Sequence, residues 1–312
     1  MNAHAVVVEQ PLKLQLRELA LVEPTENDLV VDICWSGIST GTEKLLWSGR
    51  MPTFPGMGYP LVPGYESVGR VAQAGKSTNY ENGELVFVPG AACFGEVKGL
   101  FGGAASRVVI PALRAIRVSE ALGEKGTLLA LAATAYHAHV AAGSNKPELI
   151  VGHGVLGRMI ARLTVLAGGK PVVWETNPDR RTGAMGYELI DPKDDTRSNY
   201  RCICDVSGDP SILDSLIARG AANCDIVLAG FYDQPMSFSF APAFLREARI
   251  RVAAQWKPAE LVAVRDLAES GQLSLDGLIT HRSNPRNAEA AYRTAFDDPT
   301  CLKMILDWRD AR

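Results

Sequence analysis

Leu149-Ile150-Val151-Gly152-His153-Gly154-Val155-Leu156-Gly157 decides the fold. Three apolar residues read as a buried strand that runs straight into a glycine-rich turn. Leu156, Ile160, Leu163 and Leu166 then follow at helical spacing until Gly168-Gly169 stops the helix. In a strand–turn–helix unit each glycine has its own task. Gly152 permits the tight turn, Gly154 lets the backbone approach a pyrophosphate, and Gly157 allows helix and strand to pack closely. The first N–H groups of the helix, around Val155 and Leu156, offer the phosphates free donors and a positive dipole end.

The chain beyond the turn supports a dinucleotide. Pro171 to Trp174 is the next strand, and Glu175 follows it, 175 − 152 = 23 positions after the first glycine. A carboxylate there hydrogen-bonds ribose hydroxyls and repels a 2′-phosphate, so NAD is expected over NADP. Arg180 and Arg181 soften this preference, since an Arg nearby can accept a phosphate. Asn177-Pro178 reads as a helix N-cap and first helical residue. Ile203 to Val206, Ile226 to Ala229 and Ile250 to Ala254 are further buried strands, and Ser211 to Arg219 and Pro258 to Ser270 are helices. Ser207 and Gly230 end two of these strands on the carboxyl side of the sheet, where such sheets bind ligands. The expected cofactor residues are therefore Gly152, Gly154, Val155, Leu156, Gly157, Glu175, Arg180, Ser207 and Gly230.

Upstream the rhythm is different. Ala5 to Val8, Leu12 to Leu16, Leu29 to Cys34, Val68 to Ala72, Glu84 to Val88 and Ser106 to Ile110 are short β-type runs separated by Gly, Pro, Asn and Asp. One long connection, Ser36 to Pro63, carries Trp47, Met51, Phe54, Met57 and Tyr59, which argues for a functional loop rather than disorder. The tail, Asn287 to Trp308, reads as one helix and one strand returning to the first domain. The expected architecture is α/β: a β-rich domain over 1–122 and 281–312, and a doubly wound parallel sheet over 123–280.

Composition narrows the class. The 312 residues suffice for two domains, and a net charge of −3 leaves no electrostatic footprint for nucleic acid. Six scattered cysteines match neither a zinc pattern nor a disulfide framework. The N-terminus lacks the charged start and apolar run of a signal peptide. The apolar run Leu128 to Gly143 is too short to span a membrane and reads as a buried helix. A reducing cytoplasm is expected.

A β-rich N-terminal domain, a mid-chain Rossmann unit and a returning tail together resemble the medium-chain dehydrogenase/reductase superfamily, over nearly the whole chain. That resemblance implies a GroES-like catalytic domain and a homodimer through the edge of the Rossmann sheet. Many members hold a catalytic zinc with a Cys, a His-Glu pair and a later Cys or acid. The corresponding segments here are Gly37-Ile38-Ser39-Thr40-Gly41-Thr42-Glu43 and Pro63-Gly64-Tyr65-Glu66. Ser39 stands where the Cys would be, Tyr65 replaces the His, and only Glu66 survives. Hydroxyls are poor zinc ligands, so a zinc-free enzyme is expected. The strings Trp35 to Gly69 and Val88 to Ala105 are more specific. They resemble the bacteriochlorophyllide dehydrogenases, which implies a small-molecule partner, 3-hydroxyethyl bacteriochlorophyllide a, oxidised with NAD at its 3-(1-hydroxyethyl) group to 3-acetyl.

Without zinc, a side chain or relay must take the alcohol proton. Tyr65 is the first candidate. A phenol needs a neighbouring cation to act as a base, and Lys44 is proposed for it. Thr42 and Ser39 are placed as relay hydroxyls, and Glu66 as orienting or structural. The loop aromatics, with Phe94 and Phe101, suit the face of a flat macrocycle, and Lys44 or Arg50 its carboxylate. His137 and His139 sit at i and i+2 on one helix and face different ways. Two other readings remain open: a zinc-free quinone or enone reductase, and a pigment-binding protein without catalysis.

Overall fold

The strand Leu149–Val151 lies inside a six-stranded sheet with the order Glu188–Ile190, Val172–Trp174, Leu149–Val151, Tyr200–Asp205, Gly220–Leu228, Arg249–Val252. All neighbours are parallel. The strand order reverses beside Leu149–Val151, which makes this a doubly wound Rossmann sheet. Strands covered on both faces must be apolar throughout, and Ile150, Ile203, Cys204, Ile226 and Val227 are fully buried. Register sets the site. Val151 lies opposite Trp174 and Asp205, and Asp205 lies opposite Leu228. The turns that begin at Gly152, Glu175, Val206 and Ala229 therefore leave from one edge. This computed structural model describes every residue except Ala142, Ser144 and Arg312.

The chain divides into two units, Leu131–Gly277 around that sheet and Met1–Ala130 with Leu278–Arg312. In the second of these, the long strand Asp28–Ile38 pairs antiparallel with Ser67–Ala74, Arg107–Pro111 and Met304–Asp307 within a seven-stranded sheet. A four-stranded sheet runs Lys13–Ala20, Asn2–Gln10, Leu61–Val62, Lys98–Gly99. Their facing side chains form one core, with Val6, Val8, Leu29, Val31, Val86 and Ile110 buried together. Helix Ala288–Asp297 buries Ala288, Ala291, Tyr292, Ala295 and Phe296, an i, i+3, i+4, i+7, i+8 stripe. The chain then returns as Met304–Asp307, and the fully buried Trp308 donates from Nε1 to Ser36 Oγ at 2.8 Å.

Several elements differ from the sequence reading, among them the short strands Leu61–Val62, Lys98–Gly99, Ile116–Arg117 and His281–Ser283, which it did not contain. The connection after Ile38 holds a short helix, Thr42–Ser48. The sheet gains an edge strand, Glu188–Ile190, and the last crossover contains a helix, Phe240–Arg246. The apolar run is the helix Leu129–Ala141, with Ala132, Ala133 and Ala135 fully buried. Among the described residues, no helix is long and apolar enough to cross a membrane.

Candidate active site

The glycine turn is built as its residues demand. Gly152 has φ +102°, a conformation that L side chains rarely adopt, and a Cβ on Gly157 would collide with the Gly152 carbonyl oxygen. A Cβ on Gly154 would meet nothing within 4 Å, so the backbone there faces open space. Gly154 is also the N-cap of helix Val155–Leu166, and no side chain caps it. The leading N–H groups are thus left to a ligand. Glu175 accepts from the backbone N–H of His153 at 3.1 Å and of Asn177 at 2.8 Å, which fixes its carboxylate at the sheet edge. Ser207 donates its N–H to Asp205 Oδ1 at 3.1 Å, and Gly230 lies against the Gly208 backbone. Arg180 reaches the turn through its carbonyl, which receives His153 and Arg158, and Arg181 pairs with Asp191 at 3.4 Å. This cradle, with open backbone, free helix N–H groups and an oriented carboxylate, fits a dinucleotide.

The other unit holds the hydroxyl cluster. Segment Pro63–Glu66 is fastened by Ala104 N–H to Pro63 O at 2.9 Å and Gly103 N–H to Gly64 O at 2.7 Å. Tyr65 therefore projects against Phe101, edge to face at 5.3 Å. Its hydroxyl lies 2.7 Å from Ser39 Oγ and 3.5 Å from Thr42 Oγ1. Burial, then the Glu66 carboxylate, pushes the Tyr65 phenol above its ordinary range. Lys44 does not supply the expected cation. Its ammonium donates to the Phe296 carbonyl at 2.8 Å and pairs with Asp297 at 3.9 Å, where it serves the C-terminal end of a helix. Phe94 is likewise not a surface for substrate; it is core, while Phe101 is exposed.

Two buried carboxylates stand behind the hydroxyls. Glu66 is fully buried and ion-pairs Lys303 through Oε2, while Lys303 also donates to the Ile38 carbonyl at 3.0 Å. Burial raises the Glu66 pKa, and Lys303 opposes this. Glu43 accepts from the Ser39 N–H at 3.0 Å and the Tyr292 hydroxyl at 2.6 Å; burial raises its pKa to about 7. The sequence reading missed Lys303, Glu43 and Tyr292 as partners of the site. Of the expected set, Ser39, Thr42 and Tyr65 come together, Glu66 stands behind them, and Lys44 serves elsewhere. His137 and His139 have separate partners, Glu260 at 3.0 Å and Thr164 at 3.5 Å.

A catalytic zinc does not fit this donor set. Ser39 and Tyr65 offer neutral hydroxyls where the Cys and His would stand, and the Glu66 carboxylate is already paired with the Lys303 ammonium.

A Rossmann sheet with a dinucleotide cradle, joined in one chain to a β-rich unit with this cluster, defines the medium-chain dehydrogenase/reductase class. Residues 25–120 match the alcohol dehydrogenase GroES-like domain. L-idonate 5-dehydrogenase from Escherichia coli shares the fold with a TM-score of 0.87 at 18% identity, covering 98% of both chains. Acetophenone reductase from Geotrichum candidum, solved in complex with NAD, does so with a TM-score of 0.84 at 18% identity, covering 99% of this chain and 98% of that one. A far closer relative is the 2-desacetyl-2-hydroxyethyl bacteriochlorophyllide A dehydrogenase of Rhodobacter capsulatus, 57% identical over 100% of both chains. The chain belongs to that family of bacteriochlorophyllide dehydrogenases.

Proposed function

We propose that the chain oxidises the 3-(1-hydroxyethyl) group of a bacteriochlorophyllide to 3-acetyl with NAD, a late step of bacteriochlorophyll a formation. The observation that carries the reading is the 57% identity to the Rhodobacter capsulatus dehydrogenase along the full length of both chains. On this reading residues 1–122 and 281–312 hold the pigment, and 123–280 hold the cofactor.

Oxidising a secondary alcohol removes a proton from oxygen and a hydride from carbon. NAD, when bound, supplies the hydride acceptor. Val155 and Leu156 N–H groups would hold its pyrophosphate beside Gly152, Gly154 and Gly157, and Glu175 would hold the ribose hydroxyls. Ser207 and Gly230 line the same sheet edge. Preference for NAD over NADP is argued from the fixed Glu175 carboxylate, which would repel a 2′-phosphate.

The proton belongs to the hydroxyl pair. Tyr65 stays protonated, so it does not wait as a phenolate. It accepts the alcohol proton only as it releases its own to Ser39 Oγ across the 2.7 Å contact, and Ser39 in the same step gives its hydroxyl proton to solvent water, so that both hydroxyls end neutral. Thr42 steadies the phenol, and Glu66 orients the segment through Lys303. Phe101 offers an exposed ring for the macrocycle face, and the exposed Arg50 is the cation proposed for its carboxylate. All six cysteines are buried free thiols, which fits the reducing cytoplasm proposed for the enzyme.

The test is incubation of purified protein with 3-hydroxyethyl bacteriochlorophyllide a and NAD. NADH and the acetyl pigment should form in equal amounts. Pigment binding without NADH would favour a non-catalytic carrier, and NADPH-driven reduction of an enone or quinone would favour a reductase.

A further inference from the structure

Between the first two glycines of the turn stands His153, fully buried. Its Nδ1 lies 2.8 Å from the Arg180 carbonyl and its Nε2 lies 2.8 Å from the Tyr187 hydroxyl. A carbonyl can only accept, so Nδ1 carries the ring proton, and Nε2 accepts from Tyr187. This is a neutral imidazole, in keeping with burial that pushes its pKa down to about 4. Arg158, also buried, donates from Nε to the His153 carbonyl and from Nη2 to the Arg180 carbonyl, both at 3.1 Å. The segment 176–187 is thereby fastened to the glycine turn at Arg180 and at Tyr187. The same histidine's backbone N–H holds Glu175 Oε2.

We propose that His153 is a positioning residue for dinucleotide selection. It latches the segment 176–187 so that the Glu175 carboxylate stays fixed at the ribose edge. The latch also keeps Arg180 and Arg181 from shifting to accept a 2′-phosphate. An acid repels a 2′-phosphate only where it is held. Three separate bonds from one residue, two from the ring and one from the main chain, do the holding. The inference rests on the NAD reading of Glu175.

The experiment measures binding rather than turnover. The full chain is titrated separately with NADH and NADPH by cofactor fluorescence, as wild type, His153→Ala, His153→Asn and Tyr187→Phe. Wild type is expected to prefer NADH. His153→Ala should lower that preference about tenfold, the scale of one or two hydrogen bonds. Asn places an amide donor near the position of Nδ1, so His153→Asn should recover most of the preference. Tyr187→Phe should fall between. If His153 merely fills the core, both cofactors weaken together and their ratio stays at the wild-type value, which overturns the latch. Should His153→Ala not fold, the ratio in Tyr187→Phe decides on the same terms. A wild type that prefers NADPH or binds neither cofactor overturns the NAD reading itself, and that result is visible before any variant is made.

Discussion

On the proposed mechanism, the chemistry at Tyr65 depends on a proton that the residue cannot give up for long. Burial and the Glu66 carboxylate both disfavour the phenolate, and the cation that would have favoured it, Lys44, is committed to a helix end. The 2.7 Å contact to Ser39 is what remains. Tyr65→Phe should then slow NADH formation about 100-fold or more, the usual scale for a lost acid–base group, with the Kd for NADH unchanged. A steady-state rate within about twofold of wild type would remove the phenol from the mechanism, because a packing role alone leaves the chemical step intact. Ser39, Tyr65 and Glu66 were legible in the sequence because they stand in local strings whose other residues announce them. Lys303 was not. It reaches Glu66 only through the pairing of the tail strand Met304–Asp307 with Asp28–Ile38, and a lysine beside an apolar run was the one hint. Lys44 misled for the opposite reason: a charge two residues from Thr42 in sequence says nothing about which carbonyl its ammonium will find.

Between elements, Glu43 joins helix Thr42–Ser48 to helix Ala288–Asp297 through the Tyr292 hydroxyl. Its pKa is raised from 4.5 to about 7, chiefly by burial. The native state therefore binds this proton more tightly than the unfolded chain does. The resulting stability is fully present below 4.5 and is lost as pH rises through about 7. The shift corresponds to about 3 kcal/mol. Glu43→Gln keeps an acceptor for the Ser39 N–H but cannot titrate. The difference in thermal stability between wild type and variant should therefore move against wild type as pH rises over this range. Parallel stability curves for the two proteins would show that Glu43 keeps an ordinary pKa. The helices and strands with clean periodicity, such as Val155–Leu166 and Ala288–Asp297, could be read from the chain. Glu188–Ile190, Thr42–Ser48 and Phe240–Arg246 could not. The first is three partly exposed residues with no buried stripe, the second is hidden among glycines, and the third carries Pro242 near its start, which argues against a helix.

At the scale of the whole molecule, the Rossmann sheet ends in a strand that, among the described residues, has no further strand beside it in its own sheet. Arg249–Val252 is the last member of the strand order, so one side of its backbone has no ladder partner there. Val252 is 76% exposed, and just before it Phe240, Phe244 and Leu245 are 72%, 65% and 78% exposed. Phe240 and Phe244 lie against each other with ring centroids 5.6 Å apart, so these two exposed rings form one apolar patch. A monomer gains nothing from an exposed ring pair or from an open sheet edge, which invites unwanted pairing. A second copy of the chain, related by a two-fold axis, would present the same strand and the same rings, and closes both at once. The expected species in sedimentation velocity is a dimer. Phe244→Asp combined with Leu245→Lys should convert it to single chains, since the change places charge at the centre of the patch. NADH binding should survive, because neither residue belongs to the glycine turn or its latch. A wild type that sediments as one chain at assay concentrations, or a double variant that stays dimeric, would place the association elsewhere or nowhere.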